Sequence, residues 1–223
     1  LREGNLGTAA GIFLVFPLFA FAALAAASRQ DQPLPGLFRQ AGALGAIPPL
    51  LFALHMAAVP AYGAHTGLLF GFLFLVALGL AAVAAFQGPE WLHPLGAGSV
   101  LIVFATWMAT AYGPREWPWV LALVALFELL YLGWPWLLDR LQRPFWDSGR
   151  SGAYAAPLLL FVFPWLALRE PAAAAPGLFF GSLLVLAALN GLHALRTEQG
   201  PVHYLACFFV LAAEALWSAR HLG

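Results

Sequence analysis

Two carboxylates lie inside long apolar runs of the sequence, and they are the residues best placed to do chemistry. Glu128 stands among apolar residues from Val124 to Tyr131, and Glu214 stands in the second half of the last apolar run. An ionised group at the centre of a bilayer costs at least ~2.5–3.5 kcal/mol, so it usually faces protein or water. Two interpretations stay open: an ion or proton site, or a protonated glutamate that forms a hydrogen bond between helices.

The last two apolar runs carry further polar residues. Asn190 and His193 lie in the first of them, and one helical face of the second holds His203, Cys207, Glu214, Ser218 and His221. This stripe is typical of a helix that faces a pore or substrate path, and equally of a helix buried against its neighbours. The candidate ion, proton or polar pathway therefore comprises Glu128, Asn190, His193, His203, Cys207 and Glu214.

The sequence does not indicate metal or cofactor chemistry. The single cysteine, Cys207, excludes an internal disulfide and a metal site made of several cysteines. The chain has no His pair at i, i+4, no HExxH motif, no Walker loop, no nucleophile elbow and no dinucleotide fingerprint. We predict no catalytic residue, no metal and no cofactor.

Two glycine pairs indicate close helix packing. Gly67 and Gly71 begin one apolar run, and Gly177 and Gly181 begin another. Small residues four positions apart let two helices approach closely. We expect the partner of each pair to be the corresponding copy in this chain or another subunit.

The amino-acid composition indicates that the chain is an integral membrane protein. Apolar residues make up 62% of the chain and charged residues 9%, which is far less charge than a soluble domain carries. The net charge of zero gives no sign of a nucleic-acid partner. Backbone groups in lipid must be bonded within their own segment, so each long apolar run is expected to form a helix. We place eight spans near 7–28, 41–59, 66–86, 92–112, 117–138, 152–168, 173–195 and 202–220.

The glycine pairs belong to a wider internal repeat. Gln87-Gly88-Pro89 follows one run, and Gln199-Gly200-Pro201 follows its counterpart. The repeat divides the chain into two halves of four helices, 1–113 and 114–223. Four is an even number, so the halves enter the membrane from the same side as parallel repeats. A longer polar link has the same place in each half, at Arg29–Gln40 and Asp139–Arg150.

Prolines fall in the second and sixth runs, which correspond in the repeat. Pro48-Pro49 and Pro157 with Pro164 are expected to kink these helices by removing backbone hydrogen bonds. Broken helices at matching places are typical of transporter binding sites, although spans also tolerate proline for structural reasons.

The tandem arrangement of Ala/Leu-rich helices, with links such as Ala27-Ser28-Arg29 and Leu195-Arg196 and the run from Trp117 to Val124, resembles one family. It is the group of very large, uncharacterised bacterial "predicted membrane proteins" that string together many short spans. The resemblance implies that this chain is part of a longer multi-span protein. It brings no established catalytic residues.

Three functional hypotheses follow for a multi-pass protein of the bacterial inner membrane. The first is a non-catalytic subunit or membrane domain that packs against other membrane subunits, or against the rest of a longer polypeptide, within the lipid bilayer. The second is a transporter or channel with an intramembrane carboxylate. The third is a membrane enzyme acting on a lipid-linked substrate, with Glu128, His193 or Glu214 as acid or base.

Overall fold

The described part of the chain is built from helices. The computed structural model describes residues 5–27, 44–86, 89–113, 116–142, 145, 147–170 and 176–222, and no strand occurs among them. The helices are α1 (Leu6–Ala27), α2 (Ile47–Ala58), α3 (Pro60–Gly63), α4 (Thr66–Phe86), α5 (Leu92–Thr110), α6 (Trp117–Arg140), α7 (Asp147–Arg150), α8 (Ala155–Leu159), α9 (Val162–Arg169), α10 (Pro176–Thr197) and α11 (Gly200–His221). A short 3-10 helix, Ser151–Tyr154, lies between α7 and α8. The predicted all-helical class is confirmed.

Within the described residues, six helical segments are long and apolar enough to cross a membrane. They are α4, α5, α6, the segment Ser151–Arg169, α10 and α11. Leu6–Val15 within α1, and the whole of α2, are apolar but shorter. Helices of this length and composition indicate a membrane protein. The predicted link Arg29–Gln40 lies outside the described residues.

The second predicted span, 41–59, contains α2, which ends just before Val59. Pro48 and Pro49 occupy the first turn of α2, where a missing N–H costs no intrahelical bond. Val59 takes an extended conformation, with φ −102° and ψ 111°, because the residue before a proline disfavours the helical region and Pro60 follows. Pro48-Pro49 therefore begin α2 and do not kink it, and α2 ends before Pro60.

The sixth predicted span is divided by a tighter turn in which Leu160 and Phe161 keep right-handed helical dihedral angles. Pro157 lies in the first turn of α8, and Pro164 lies in the first turn of α9. The two helices are separated at Leu160 and Phe161, where the turn is tightened by a hydrogen bond from Leu160 N to Pro157 O at 3.2 Å. Each proline therefore begins a short helix, and the span is made of pieces.

Contacts divide the chain into two compact units. Unit 1 comprises Leu1–Tyr112 and Leu138–Gly152, and unit 2 comprises Gly113–Leu137 and Ala153–Gly223. These units are defined by contacts in space, whereas the predicted halves 1–113 and 114–223 are defined by sequence similarity. The repeat therefore stays a prediction. Residues 138–152 group with unit 1 because part of this segment is hydrogen-bonded to the start of α5.

The core of unit 1 is centred on Trp107 of α5. Its indole Nε1 donates to the carbonyl oxygen of Gly63 at 2.9 Å, and its ring meets Phe70 edge-on at 5.2 Å. Phe70 also lies against Phe104, with ring centroids 4.5 Å apart. A Cβ on Gly63 would lie 2.5 Å from the Cβ of Ala111, so the end of α3 requires glycine. The indole thus fastens α3 to α5.

The core of unit 2 lies between α9, α10 and α11. Phe163 and Phe179 meet at 5.4 Å, which joins α9 to α10. The buried residues of α11 are Val202, Ala206 and Ala213, which share one face of that helix. The opposite face of α11 is left uncovered by the described residues.

Candidate functional site

Glu128 lies at the midpoint of α6, and its side chain is completely buried. It shares the inner face of the helix with Val124 and Tyr131, one turn away on either side, while Leu126 and Leu129 are exposed. The spacing i, i+3 and i+4 places these three residues on one side of a helix. The apolar pattern of α6 therefore carries the carboxyl group inward together with its neighbours.

Asn190 of α10 is the hydrogen-bonding partner of Glu128. Its side-chain Nδ2 donates to Glu128 Oε2 at 3.1 Å and to the carbonyl oxygen of Leu186 at 3.0 Å. Asn190 is also completely buried. Both hydrogens of the amide nitrogen are used, so the orientation of the amide group is fixed. The structure brings together two predicted site residues that are far apart in sequence.

Two oxygen atoms of this pair lack a hydrogen-bond partner among the described residues. They are Glu128 Oε1 and Asn190 Oδ1. Buried polar atoms in folded proteins are nearly always hydrogen-bonded, because leaving one unsatisfied costs about 1–3 kcal/mol. The pair can therefore accept a further hydrogen bond.

Tyr131 and His193 are the ionisable residues nearest to this pair along the same two helices. Tyr131 follows Glu128 by three residues on α6, and His193 follows Asn190 by three on α10. Both side chains are buried. Of the predicted pathway residues, Glu128, Asn190 and His193 are thus buried within unit 2.

The other three predicted pathway residues lie on α11, and their surroundings are different. His203 and Glu214 are exposed, and Cys207 is half-buried. The Cys207 sulfur lies 3.5 Å from His203 Nε2, one turn away on the same helix. The polar stripe of α11 therefore lies on the uncovered side of the helix.

Glu214 has no hydrogen bond or ion pair with any described residue. It lies about one turn, or roughly 5 Å along the axis, from the midpoint of α11. Its exposed neighbours at helical spacing are Tyr204, Phe208 and Leu211, which are 74%, 61% and 63% exposed. We call these four residues the α11 face: Tyr204, Phe208, Leu211 and Glu214.

The glycine pairs point away from the described residues. Gly67, Gly71, Gly177 and Gly181 are all exposed, and a Cβ added at any of them would meet nothing within 4 Å. Gly177 and Gly181 line an apolar groove of about 280 Å³ between α6 and α10, which also contains Ala125 and Ser182. We call it the glycine groove. Its floor of small side chains would let another backbone come close.

A third polar centre, in unit 1, was not predicted from the sequence. His93, in the first turn of α5, is buried, and its Nδ1 lies 2.8 Å from the carbonyl oxygen of Gly149. The N–H of Gly149 donates to Glu90 Oε2 at 3.2 Å, and the His93 ring stacks on Phe145 at 5.0 Å. A Cβ on Gly152 would collide with the His93 ring.

This arrangement, which we call the His93 clasp, fastens the segment before the sixth span to the start of α5. Both backbone polar groups of Gly149 are bonded by side chains: Glu90 just before α5 and His93 in its first turn. The signal in the sequence was the pair Glu90 and His93 at i, i+3, together with two glycines in a later link. The clasp is a backbone anchor and explains why 138–152 groups with unit 1.

No group of three or more His, Cys, Asp or Glu residues suited to a metal ion occurs in the described part of the chain. No protein-family model matches the chain, and neither a curated protein nor a solved structure matches it significantly. Within the described residues, the Glu128–Asn190 pair has two oxygen atoms without a hydrogen-bond partner, and the α11 face is exposed.

Proposed function

We propose that this chain is a non-catalytic subunit or membrane domain of a larger membrane assembly, and that the α11 face is where it meets its partner. The observation that carries the proposal is the exposure of Glu214 near the middle of a helix long enough to span a bilayer.

The cost of exposing Glu214 to lipid supports this proposal. A carboxylate near the centre of a span costs at least ~2.5–3.5 kcal/mol unless it faces protein or water. Only 17% of the apolar stretch of α11 is buried by the rest of the chain, compared with 50% for α5 and α6. A further helix from another protein, or from more of the same polypeptide, would remove both the apolar face and the carboxylate from lipid.

The glycine groove offers a second contact of the same kind. Gly177 and Gly181 are exposed on α10, and a Cβ added at either would meet nothing within 4 Å. Helix association in lipid depends on close van der Waals packing and on hydrogen bonds between helices. A partner helix that fits small residues and offers a donor at the depth of Glu214 would use both features.

Site-specific photocrosslinking tests the proposal. A photoreactive residue at Leu211, in native membranes, is expected to form an adduct with one protein of defined mass, and Glu214→Leu is expected to abolish that adduct. The matched control is Ile102 of α5, which is 57% exposed and lies in a span that is half buried. Adducts with lipid alone at position 211, or a protein adduct that survives Glu214→Leu, would contradict the proposal.

The finer architecture is part of the same proposal. We infer eight spans in two parallel four-helix repeats, in a bacterial inner membrane, with α1 and α2 crossing in addition to the six longer segments. The sequence echoes around Gly67 and Gly177 support the repeat. Reporter fusions before Leu6 and after Leu222 should lie on the same side of the membrane, because the number of spans is even. Opposite sides would contradict eight spans.

A second candidate is a transporter or channel whose path passes Glu128. The observation that favours it is the pair of unsatisfied oxygens at Glu128 and Asn190, in the middle of a span. Glu128→Gln should then abolish flux across vesicles that contain the assembled protein while leaving the assembly intact. Unchanged flux, or flux lost only together with assembly, would count against this candidate.

A further inference from the structure

We propose that Glu128 and Asn190 form a proton-binding site, in which a hydrogen on Glu128 Oε1 is shared with Asn190 Oδ1. The proposal concerns the ligand of the buried pair, and it holds whether the chain is a subunit or a transporter. Its starting point is geometric: two completely buried side chains from different helices are in contact, and each has one oxygen without a partner.

The hydrogen-bonding capacity of the pair identifies what is missing. Asn190 Nδ2 already donates to Leu186 O and to Glu128 Oε2, so the amide has no hydrogen left to give. The two unsatisfied atoms are both acceptors, and an ionised carboxylate is an acceptor only. One hydrogen on Oε1 would turn that atom into a donor and give Asn190 Oδ1 its bond. The carboxyl and amide groups would then form two antiparallel hydrogen bonds.

A metal cation fits the same place poorly. Calcium takes six to eight oxygen ligands and magnesium requires about six in octahedral geometry. The pair supplies two oxygens, and no set of three acidic or metal-binding side chains occurs in the described ranges. A single hydrogen needs only the two oxygens that are present.

The positions of the other ionisable groups in the described part of unit 2 decide which of them could neutralise Glu128. Tyr131 and His193 are the buried neighbours along α6 and α10. The charged residues at or just beyond helix ends are Glu116, Arg169, Glu170, Arg196, Glu198 and Arg220, while Glu214 is exposed. The described helices therefore place no Arg beside Glu128 along its own helix or opposite it on α10, which leaves a proton as the simplest neutralising partner.

Infrared spectroscopy of the purified protein in bilayers tests the proposal directly. In a Glu214→Gln background, the carbonyl stretching band of a neutral carboxyl group should be present at neutral pH and should disappear in Glu128→Gln. Asn190→Leu should keep the band and shift it to higher frequency, because the carboxyl group loses its amide donor. If Glu128→Gln instead removes the bands of an ionised carboxylate, the proposal is overturned. That result would point to an ionised Glu128 with a bound cation.

Thermal unfolding provides a second readout that does not depend on spectral assignment. Glutamine carries an N–H donor and a C=O acceptor, so Glu128→Gln reproduces the bonds of a neutral carboxyl group and should melt within about 2 °C of the parent. Asn190→Leu should lower the melting midpoint by about 5 °C. If Glu128→Gln fails to fold, or melts at a temperature as low as Asn190→Leu, the proposal of a shared proton is wrong.

Discussion

Glu128 and Glu214 are the same residue type in helices of similar length, but they have different surroundings. Glu128 is completely buried on α6 and accepts a hydrogen bond from Asn190 at 3.1 Å, whereas Glu214 is exposed on α11 and bonds to no described residue. The first carboxyl group is accommodated by its own chain. The second has no hydrogen-bond partner among the described residues, and this difference directs the functional proposal to α11.

The buried His93 extends the comparison to a third polar group in a predicted span. Like Glu128, His93 is bonded to another segment of its own unit, through the carbonyl oxygen of Gly149. Two polar groups in spans are therefore used internally to join segments. Glu214 departs from that pattern, and a partner outside the described chain would restore it.

The largest expected effect concerns Glu214→Leu. Replacing a carboxylate near the centre of α11 with leucine should improve membrane insertion of that span by about 3 kcal/mol, measured by glycosylation mapping of the chain. The folded stability of the single chain should change by less than about 0.5 kcal/mol, because no described residue loses a bond. Ala215→Leu, on the same exposed face, is the control and should gain under about 1 kcal/mol on insertion. A clear loss of folded stability in Glu214→Leu would erase the distinction between the two glutamates.

Glu128→Leu should have the opposite consequence after insertion. The substitution leaves Asn190 without its carboxyl partner inside the protein, so the free energy of unfolding should fall by about 2 kcal/mol. Unfolding of the reconstituted protein by denaturant measures the change. Leu129→Ala, one residue away on the exposed side of α6, should cost much less, and equal losses would mean that the Asn190 bond contributes nothing.

Gly152→Ala tests the His93 clasp. The added Cβ collides with the His93 ring, so we expect the bond to Gly149 to break and unit 1 to lose about 1–2 kcal/mol of stability. Gly98→Ala is the matched control, because a Cβ there meets nothing within 4 Å and the substitution lies in the same helix as His93. Similar thermal midpoints for both variants would show that the clasp is dispensable.

The smallest expected effect on the chain itself belongs to Gly181→Leu. A Cβ added at this position meets nothing within 4 Å, so the stability of the single chain should change by less than about 0.5 kcal/mol. Assembly with a partner should nevertheless weaken, as judged by native mass. Gly63→Ala provides the contrast, because its Cβ would lie 2.5 Å from Ala111 and should destabilise the chain alone. Unimpaired assembly of Gly181→Leu would remove the glycine groove from the proposed interface.

The positions of the helices could be predicted from the sequence because they depend on local properties: the length of each apolar run and the residues that begin or end a helix. The predicted run 66–86 coincides with α4, and the run 117–138 differs from α6 by two residues at one end. The interrupted sixth span was foreseen from Pro157 and Pro164. The kink expected from Pro48-Pro49 is not found, because these prolines lie in the first turn of α2, while the predicted end of the span at residue 59 agrees with the end of α2.

The candidate site was predictable in part. Glu128 and Asn190 were both chosen as polar residues in apolar runs, but their contact joins positions that are far apart in sequence, and spacing along a single helix carries no information about it. The exposure of Glu214 also depends on which face of α11 packs on α9 and α10. His93 was missed because its partner is a backbone carbonyl group in a distant link, and the pair Glu90 and His93 with two later glycines does not by itself identify that contact.

The native mass of the gently solubilised wild-type protein, with peptide mapping of every chain, tests the central claim most directly. We expect a species heavier than the 23.9 kDa of this chain, with a defined partner or additional polypeptide present in stoichiometric amount. Glu214→Leu should release that partner, and Glu128→Gln should retain it. A single chain at its own mass in wild type, with Glu214 in lipid, would contradict the proposed role as a subunit.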